Sequence, residues 1–166
     1  MTLKPKGYSR AQITLHWVVA VLIIFQFVLH DAIVAAWADI AKGESPETGA
    51  AVWAHVVAGT MVLAFGLWRL VLRFKRGAPA LPENEHILLK GLAHATHIFL
   101  YVLMILMPIS GLATWFGGSE TADFVHTTLK VPLMILVVLH FAGALFQQFY
   151  LRTGLLTRMM RADEQM

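Results

Sequence analysis

The chain alternates between four long apolar runs and short polar connections. The runs cover residues 13–29 with a continuation toward 37, then 50–72, 91–116 and 131–151. A membrane-crossing helix needs about 20 mostly apolar residues, and lipid-exposed backbone must satisfy its own hydrogen bonds. The runs also lack the two-residue alternation of an outer-membrane barrel strand. The pattern therefore predicts transmembrane helices at approximately residues 12–37, 50–73, 87–116 and 124–151.

These helices occupy most of the 166 residues, so the sequence predicts one domain spanning residues 1–166. The composition agrees, because 58% of the residues are hydrophobic and only 14% are charged, far from the balance of soluble proteins. The longest connections, about residues 31–49 and 74–90, hold proline, glycine and charged residues. The predicted fold class is an all-α membrane protein, a four-helix bundle.

Charged residues separate between the two ends of the predicted bundle. The basic set at one end is Lys4, Lys6, Arg10, Arg69, Arg73, Lys75, Arg76, Lys90, Arg152, Arg158 and Arg161. The opposite loops carry Asp31, Asp39, Glu44, Glu47, Glu120 and Asp123 against Lys42 and Lys130. By the positive-inside rule, the basic end and both termini are expected in the cytoplasm. The pI of about 9.5 then follows from topology and does not indicate nucleic-acid binding.

Histidine is the candidate chemistry of the spans. The chain has no cysteine, which excludes disulfides, thiolate clusters and covalent c-type haem attachment. Six of the eight histidines lie in or beside the spans: His16, His55, His94, His97, His126 and His140. One such imidazole could be a neutral group bonded to a neighbouring helix. Six together favour a bound cofactor, because ionisable groups in a membrane are costly and usually functional.

His126 and His140 are fourteen residues apart, which is close to four helical turns. Their side chains should share one helix face about 21 Å apart, one near each side of the bilayer. Haem b fits this arrangement, since its iron takes axial imidazoles and needs no covalent attachment. Zinc would require three or four converging ligands, and a proton relay would require acidic residues that the spans lack.

Depth suggests how the histidines pair. Judged by distance along the chain from the basic residues, His16 and His140 belong to the cytoplasmic half and His55 and His126 to the outer half. This favours one haem between His16 and His140 and another between His55 and His126.

Two alternatives remain open at this point. His30 is also fourteen residues from His16, so the first helix could supply a ligand at each depth. His94 and His97 lie at the cytoplasmic depth as well, and either could replace His16 or His140.

Four segments of the chain together resemble the bacterial cytochrome b561 family. They are YSRAQITLHW at 8–17, AHVVAGTMVLAFGLWRLVLRFK at 54–75, GLAHATHIFLYVLMILMPISGL at 91–112 and LLTRMM at 155–160. The resemblance covers all four predicted helices in order. It implies a bacterial inner-membrane protein in which His16 and His140 hold one b haem and His55 and His126 hold a second. It assigns no ligand role to His30.

The resemblance leaves His94 and His97 as residues that could border a quinone site or a haem propionate. Four arginines could contact the same groups, because guanidinium suits planar oxyanions, although each could equally set topology and contact lipid phosphate. They are Arg10, Arg69, Arg73 and Arg152.

The function implied is electron transfer from a periplasmic donor to ubiquinone on the cytoplasmic side, in a membrane-lipid environment. Superoxide is the leading donor, and a periplasmic redox protein would also suit the acidic outer loops, which only Lys130 near His126 offsets. No catalytic side chain is expected, because iron with two axial histidines is six-coordinate. The protein would be a superoxide:ubiquinone oxidoreductase or a pure electron carrier. The alternative is a haem-containing membrane anchor or electron-delivery subunit of a partner enzyme.

Overall fold

A computed structural model describes residues 5, 7–80 and 86–162, so the predicted cytoplasmic markers Lys4 and Lys6 lie outside the described residues. The regular structure in these ranges is entirely helical. The elements are α1 Arg10–Val28, α2 His30–Ala41, α3 Ala50–Arg76, α4 Ile87–Gly117, α5 Glu120–Leu145 and α6 Leu155–Arg158. Four helices among the described residues are long and apolar enough to cross a membrane: α1, α3, α4, and α5 together with the π-helical turn that follows it. The predicted all-α membrane bundle is confirmed.

Local sequence explains where these helices begin. Ser9 and Gln12 form a reciprocal capping box at the start of α1, and the Ser119 hydroxyl accepts a hydrogen bond from the Ala122 amide at the start of α5. Each such cap stabilises a helix by about 1 kcal/mol. The acidic residues Glu120 and Asp123 also lie in the first turn of α5, where they interact favourably with the helix dipole. These signals start α5 four residues before the position that we expected from hydropathy.

The first helix also differs from the expected range of 12–37. Leu29 has φ −91° and ψ 4°, outside the helical region, so α1 ends at Val28 and α2 begins at His30. Asp31 in the first turn of α2 favours this second start. At the other end of the chain, the backbone of Phe146–Tyr150 widens into a π-helical turn, a feature that hydropathy cannot indicate.

The bundle is not packed evenly. Its core lies among α1, α3 and α4, where Val19, Ile23, Val62 and Met104 contact one another. The helix α5 packs along α4, whereas within the described residues α1 and α3 do not pack closely along α5. A space is therefore left between α5 on one side and α1 and α3 on the other.

The outer surface of the bundle is apolar. Val21, Phe74 and Phe141 have 62%, 81% and 63% of their surface exposed, and many other large apolar side chains face outward with them. Contiguous exposed apolar surface of this extent would associate or aggregate in water. It is the surface expected of a helix bundle surrounded by lipid, where only internal backbone hydrogen bonding is required.

The four long helices define two ends of the bundle. At the His140 end, the Trp17 indole donates to the Met159 carbonyl at 2.8 Å, and the Arg158 guanidinium donates to the Ala80 carbonyl at 3.0 Å. These bonds tie α1, the α3–α4 connection and the C-terminal segment together. The basic residues that we assigned to the cytoplasmic face, where they are described, cluster at this end. The opposite His126 end holds the acidic connections.

Candidate functional site

The helix α5 carries one histidine at each end of the bundle. His126 lies in its second turn and His140 near its end, so they are about 21 Å apart along the axis. His140 meets His16 and His97, and His126 lines a cavity together with His55. The spacing that sequence analysis singled out thus becomes two clusters, one at each end of a single helix.

Three imidazoles from three helices meet at the His140 end. The ring centres of His16 and His140 are 6.0 Å apart, and those of His97 and His140 are 5.1 Å apart. The Nδ1 atom of His97 donates to the Ala93 carbonyl at 2.6 Å, which leaves Nε2 without a proton. His94 donates in the same way to the Lys90 carbonyl at 3.2 Å, but its side chain is exposed. The structure therefore brings His97 into this cluster and leaves His94 on the surface.

A cavity of about 220 Å³ opens at the His126 end, between α5 and the other helices. His55 of α3 and His126 of α5 both line it, in a mainly apolar wall that includes Phe27, Trp37 and Leu133. A concave, mainly apolar space with a few polar groups is typical of a cofactor or ligand site.

A second set of contacts orients the His126 ring. Its Nδ1 atom lies 2.8 Å from the Met107 carbonyl and 3.2 Å from the Ser110 hydroxyl oxygen. Since a carbonyl can only accept, Nδ1 must carry the proton, and Nε2 keeps a free lone pair. A histidine that binds metal commonly donates its other N–H to a backbone carbonyl in this way.

Gly111 makes room for this ring. A Cβ atom at position 111 would lie 2.9 Å from His126 Cε1 and 3.1 Å from Nδ1. Any larger side chain would displace the imidazole, so the close approach of α4 to α5 requires glycine here.

His55 forms a hydrogen bond through its backbone carbonyl, but a nitrogen of its ring has no partner among the described residues. The Gln26 amide donates to the His55 carbonyl at 3.0 Å, whereas the buried Nδ1 atom of His55 has no hydrogen-bond partner in the described part of the chain. Buried polar atoms are almost always paired, so an unpaired imidazole nitrogen points to a missing partner.

His30 has a different role from the other cavity histidines. The break at Leu29 removes His30 from α1, so its fourteen-residue relation to His16 no longer follows one helix. The Lys130 ammonium donates to His30 Nε2 at 2.9 Å. Burial lowers the pKa of His30, and the Lys130 charge lowers it further, so the ring remains a neutral acceptor.

Arg10 and Arg73, which we predicted as oxyanion contacts, lie in different surroundings. Arg10 is the first residue of α1 and is exposed. Arg73 lies 5.8 Å from the centre of the Tyr101 ring, and Arg69 lies 5.9 Å from it. Tyr101 was not singled out by sequence reasoning. The available signal was its position in α4, one turn after the intramembrane His97.

Sequence reasoning also missed Ser110 and Gln26 as supports of the histidines. Both are polar residues within long apolar helices, which was a usable signal. Gln26 bonds to a backbone carbonyl of α3, and the Ser110 hydroxyl lies beside the His126 ring of α5. These partners on other helices cannot be identified from the sequence.

The arrangement fits haem iron. Within the described ranges, no three His, Cys, Asp or Glu side chains converge as a zinc site requires, whereas axial ligation of haem needs only two imidazoles. The unpaired His55 nitrogen, the free His126 Nε2 atom and the space beside α5 all suit a planar cofactor inserted between helices. Fold and site together define a b-type cytochrome of the membrane.

Comparison with known proteins gives the family. Residues 7–162 match the family model described as prokaryotic cytochrome b561. The chain is 35% identical to cytochrome b562 of Cereibacter sphaeroides, with 97% of this chain and 99% of that protein covered. It is 29% identical to the probable superoxide oxidase CybB of Yersinia pestis, with 93% and 96% covered. It is 24% identical to cytochrome b561 homolog 1 of Escherichia coli K12, with 92% and 96% covered. The chain belongs to the prokaryotic cytochrome b561 family.

Membership confirms the resemblance found in the sequence. The protein is a multi-pass bacterial membrane protein of a haem b family whose work is electron transfer.

Proposed function

We propose that the chain holds two b haems and passes electrons across the bacterial inner membrane, from a periplasmic donor to ubiquinone. His55 and His126 would bind the haem nearer the periplasm, and His16 and His140 the haem nearer the cytoplasm. Superoxide is the donor that we favour. The protein would then act as a superoxide:ubiquinone oxidoreductase.

One observation carries the proposal: α5 presents a histidine at each end, and each faces a histidine of another helix. The ring centres of His140 and His16 are 6.0 Å apart, and His126 and His55 line one cavity. The helices that face α5 across this space are α1 with His16 and α3 with His55. Two planar cofactors inserted here would complete the packing between α5 and the rest of the bundle. They would also supply the missing partner of His55 Nδ1, either directly or by turning the ring.

Ring separation supports the pair at the His140 end. Metal–nitrogen bonds of about 2 Å place two opposed axial imidazoles with their ring centres roughly 6 Å apart. The His16–His140 separation of 6.0 Å matches this value, whereas the His97–His140 separation of 5.1 Å is that of two rings in direct edge contact. His97 is therefore proposed as a neighbour of the haem or quinone, with His94, Arg10 and Arg73 as further candidate contacts.

Charge supports the orientation. The His140 end carries the arginines and lysines, so the positive-inside rule places it and both termini in the cytoplasm. The haem at that end would then be the one that meets the quinone, and the cavity at the His126 end would open toward the periplasm.

Bound haem b supplies reversible one-electron storage, and the chain supplies position and environment. The Met107 carbonyl fixes the proton of His126 on Nδ1, so Nε2 is the atom that would bind the iron. Oxidation of two superoxide anions to two molecules of O₂ releases two electrons. Reduction of one ubiquinone to ubiquinol consumes those electrons and two protons, which the proposed cytoplasmic end takes from solution.

Superoxide is an anion, so its approach should gain from positive charge near the haem edge. Lys130 is half-buried in the cavity wall one turn from His126, and its bond to His30 holds it there. The named function of the relative from Yersinia pestis gives independent support for this donor.

The test is purification followed by haem quantification and stopped-flow reduction. We expect two low-spin b haems per chain, reduction by superoxide and reoxidation on addition of ubiquinone. One haem per chain would contradict the ligand assignment. A fully loaded protein that neither superoxide nor ubiquinol can reduce would favour the alternative, an anchor or electron-delivery subunit, particularly if a periplasmic partner co-purifies.

A further inference from the structure

Arg69 is a half-buried charge with two guanidinium nitrogens that lack a hydrogen-bond partner among the described residues. It lies within the membrane-crossing helix α3, and its Nε and Nη1 atoms are buried without any hydrogen bond to the described residues. Arginine stays protonated in proteins, so the charge cannot be relieved by losing a proton. An isolated charge in a membrane protein is costly and indicates a functional partner. The Arg69 guanidinium therefore needs an anionic partner.

The surrounding helices do not supply one. The sequences of α1, α3 and α4 contain no aspartate or glutamate. A second cation, Arg73, lies one helical turn away, and both guanidinium groups lie within 6 Å of the centre of the Tyr101 ring. The ring face attracts both cations, but like charges at this spacing repel each other. An anion bound between them would remove the repulsion.

The two arginines lie near the histidines of the His140 end. Both guanidinium groups are within 6 Å of the centre of the Tyr101 ring, and Tyr101 is one helical turn after His97 in α4. Arg69 also interacts electrostatically with His16, His97 and His140, so an anion bound by Arg69 would lie beside the proposed haem at this end.

We propose that Arg69 and Arg73 bind the propionate carboxylates of the haem held by His16 and His140. This inference rests on the proposed function. Guanidinium matches a carboxylate in shape and charge. A quinone carbonyl is neutral and would leave the Arg69 charge unpaired. A lipid headgroup or free phosphate shares the anionic chemistry of a propionate, so the experiment must separate these sources.

The first measurement compares haem b with its dimethyl ester, in which both carboxylates are blocked. Full-length apoprotein is titrated with each, and the titration is repeated in His126→Ala to isolate the site at the His140 end. We expect wild-type protein to bind the ester about 10- to 100-fold more weakly than haem b, the range typical of lost outer-shell contacts. Arg69→Gln should bind haem b more weakly and discriminate much less between the two.

The second measurement is a redox titration of both haems in the loaded protein. Arg69→Gln should shift the reduction equilibrium of the haem at the His140 end about tenfold toward the oxidised form, or about 59 mV for one electron. The reason is that the lost cation no longer favours the added electron. Lys75→Gln is the matched control, because it removes the same charge from an exposed position of the same helix and should shift neither haem. Arg69→Lys keeps the charge, so it should preserve the potential while weakening ester discrimination.

Several results would overturn the proposal. Wild-type protein that binds the ester as tightly as haem b would show that the carboxylates are not recognised. Arg69→Gln that weakens haem and ester equally, with inorganic phosphate stabilising the apoprotein against heat, would identify a phosphate or lipid headgroup as the partner. If Arg69→Gln does not fold, the wild-type comparison and Arg69→Lys still decide the question.

A protein carboxylate is the last competing partner. Joint replacement of the acidic residues near the ends of the described ranges by their amides should leave both measurements unchanged; these residues are Glu83, Glu85, Asp163 and Glu164. A potential shift equal to that of Arg69→Gln would instead assign the anion to one of them. Absence of a bis-histidine spectrum in wild-type protein would contradict the proposed function itself and is distinguishable from all these results.

Discussion

The two ends of the bundle present similar histidine pairs in different surroundings. At the His126 end, the imidazole of His126 is fixed by a backbone carbonyl and by the close approach of Gly111. The cavity beside it is lined by Lys130 and Asp123 among mainly apolar residues. At the His140 end, the rings of His97 and His140 are in edge contact, the ring centre of His16 lies 6.0 Å from that of His140, and the nearby charges are the arginines Arg69 and Arg73. Packing contacts therefore set the position of the His126 ring, whereas positive charge is the main feature of the surroundings at the His140 end.

This difference bears on the direction of electron flow. The two cations Arg69 and Arg73 favour the reduced form of a nearby haem, whereas at the other end the charges of Asp123 and Lys130 offset each other. When the arginines are bound to propionates, their effect on the reduction of the haem is smaller, but it still favours the reduced form. We expect the haem at the His140 end to have the higher midpoint potential. Electrons would then move downhill from the periplasmic to the cytoplasmic haem.

The largest effect should come from the proposed ligands. His55→Ala and His126→Ala should each lose the same single haem, and His16→Ala and His140→Ala the other, because one remaining imidazole binds haem weakly. Haem content by pyridine haemochrome and the spectrum of the remaining haem measure this.

His30 and His97 test the alternatives to these ligands. His30→Ala and His97→Ala should retain both haems. If His97→Ala lost a haem that His16→Ala retained, the pair at the His140 end would have to be reassigned. Loss of a haem in His30→Ala but not in His55→Ala would do the same at the other end.

A smaller effect should follow from filling the space beside His126. Gly111→Ala places a methyl group 2.9 Å from the ring and should destabilise the loaded protein by about 1–3 kcal/mol. The measurement is the temperature at which the Soret absorbance of the haem is lost, and the site at the His126 end should be lost first.

Gly143→Ala is the matched control, since a Cβ atom there meets nothing within 4 Å. It should stabilise α5 by about 0.5–1 kcal/mol through the better helix propensity of alanine. Equal behaviour of the two variants would mean that Gly111 does not position His126.

A third test concerns the charge at the His126 end. Lys130→Gln should slow the reduction of the outer haem by superoxide roughly two- to fivefold at low salt, and the difference should shrink as ionic strength rises. Lys42→Gln removes the same charge from an exposed connection and should have less effect. A slower reaction that does not depend on salt would indicate a packing change and not electrostatic steering.

The smallest expected effect is a dependence of stability on pH through His30. Its pKa is lowered in the folded protein, so above about pH 6.5 the ring is neutral in both states and pairs with Lys130. As the pH falls below that value, the unfolded chain binds a proton first, and the free energy of unfolding decreases until the folded ring is protonated too.

Thermal bleaching of the haem absorbance between about pH 8 and pH 5 measures this dependence. Wild-type protein should lose more stability than His30→Gln, which can accept from Lys130 but does not titrate. Identical pH profiles would show that the His30–Lys130 bond does not contribute.

How far the sequence predicts this protein depends on which kind of interaction is involved. Hydropathy identifies the four crossing helices because the bilayer imposes one requirement of length and polarity on every span. It misses the break at Leu29 and the turn at Phe146–Tyr150, since these depend on local backbone conformation within segments that remain apolar.

The same division applies to the site. His126 and His140 are fourteen residues apart, which helix geometry converts into one face and about 21 Å along the axis. The sequence therefore determined that one helix carries a histidine at each of the two depths. Only the tertiary structure decided that His97 joins His16 and His140 while His94 does not, and that His30 is bonded to Lys130. The physical reason is that periodicity along one helix sets spacing and face, whereas the facing partners depend on how separate helices pack and on the space that they leave beside α5.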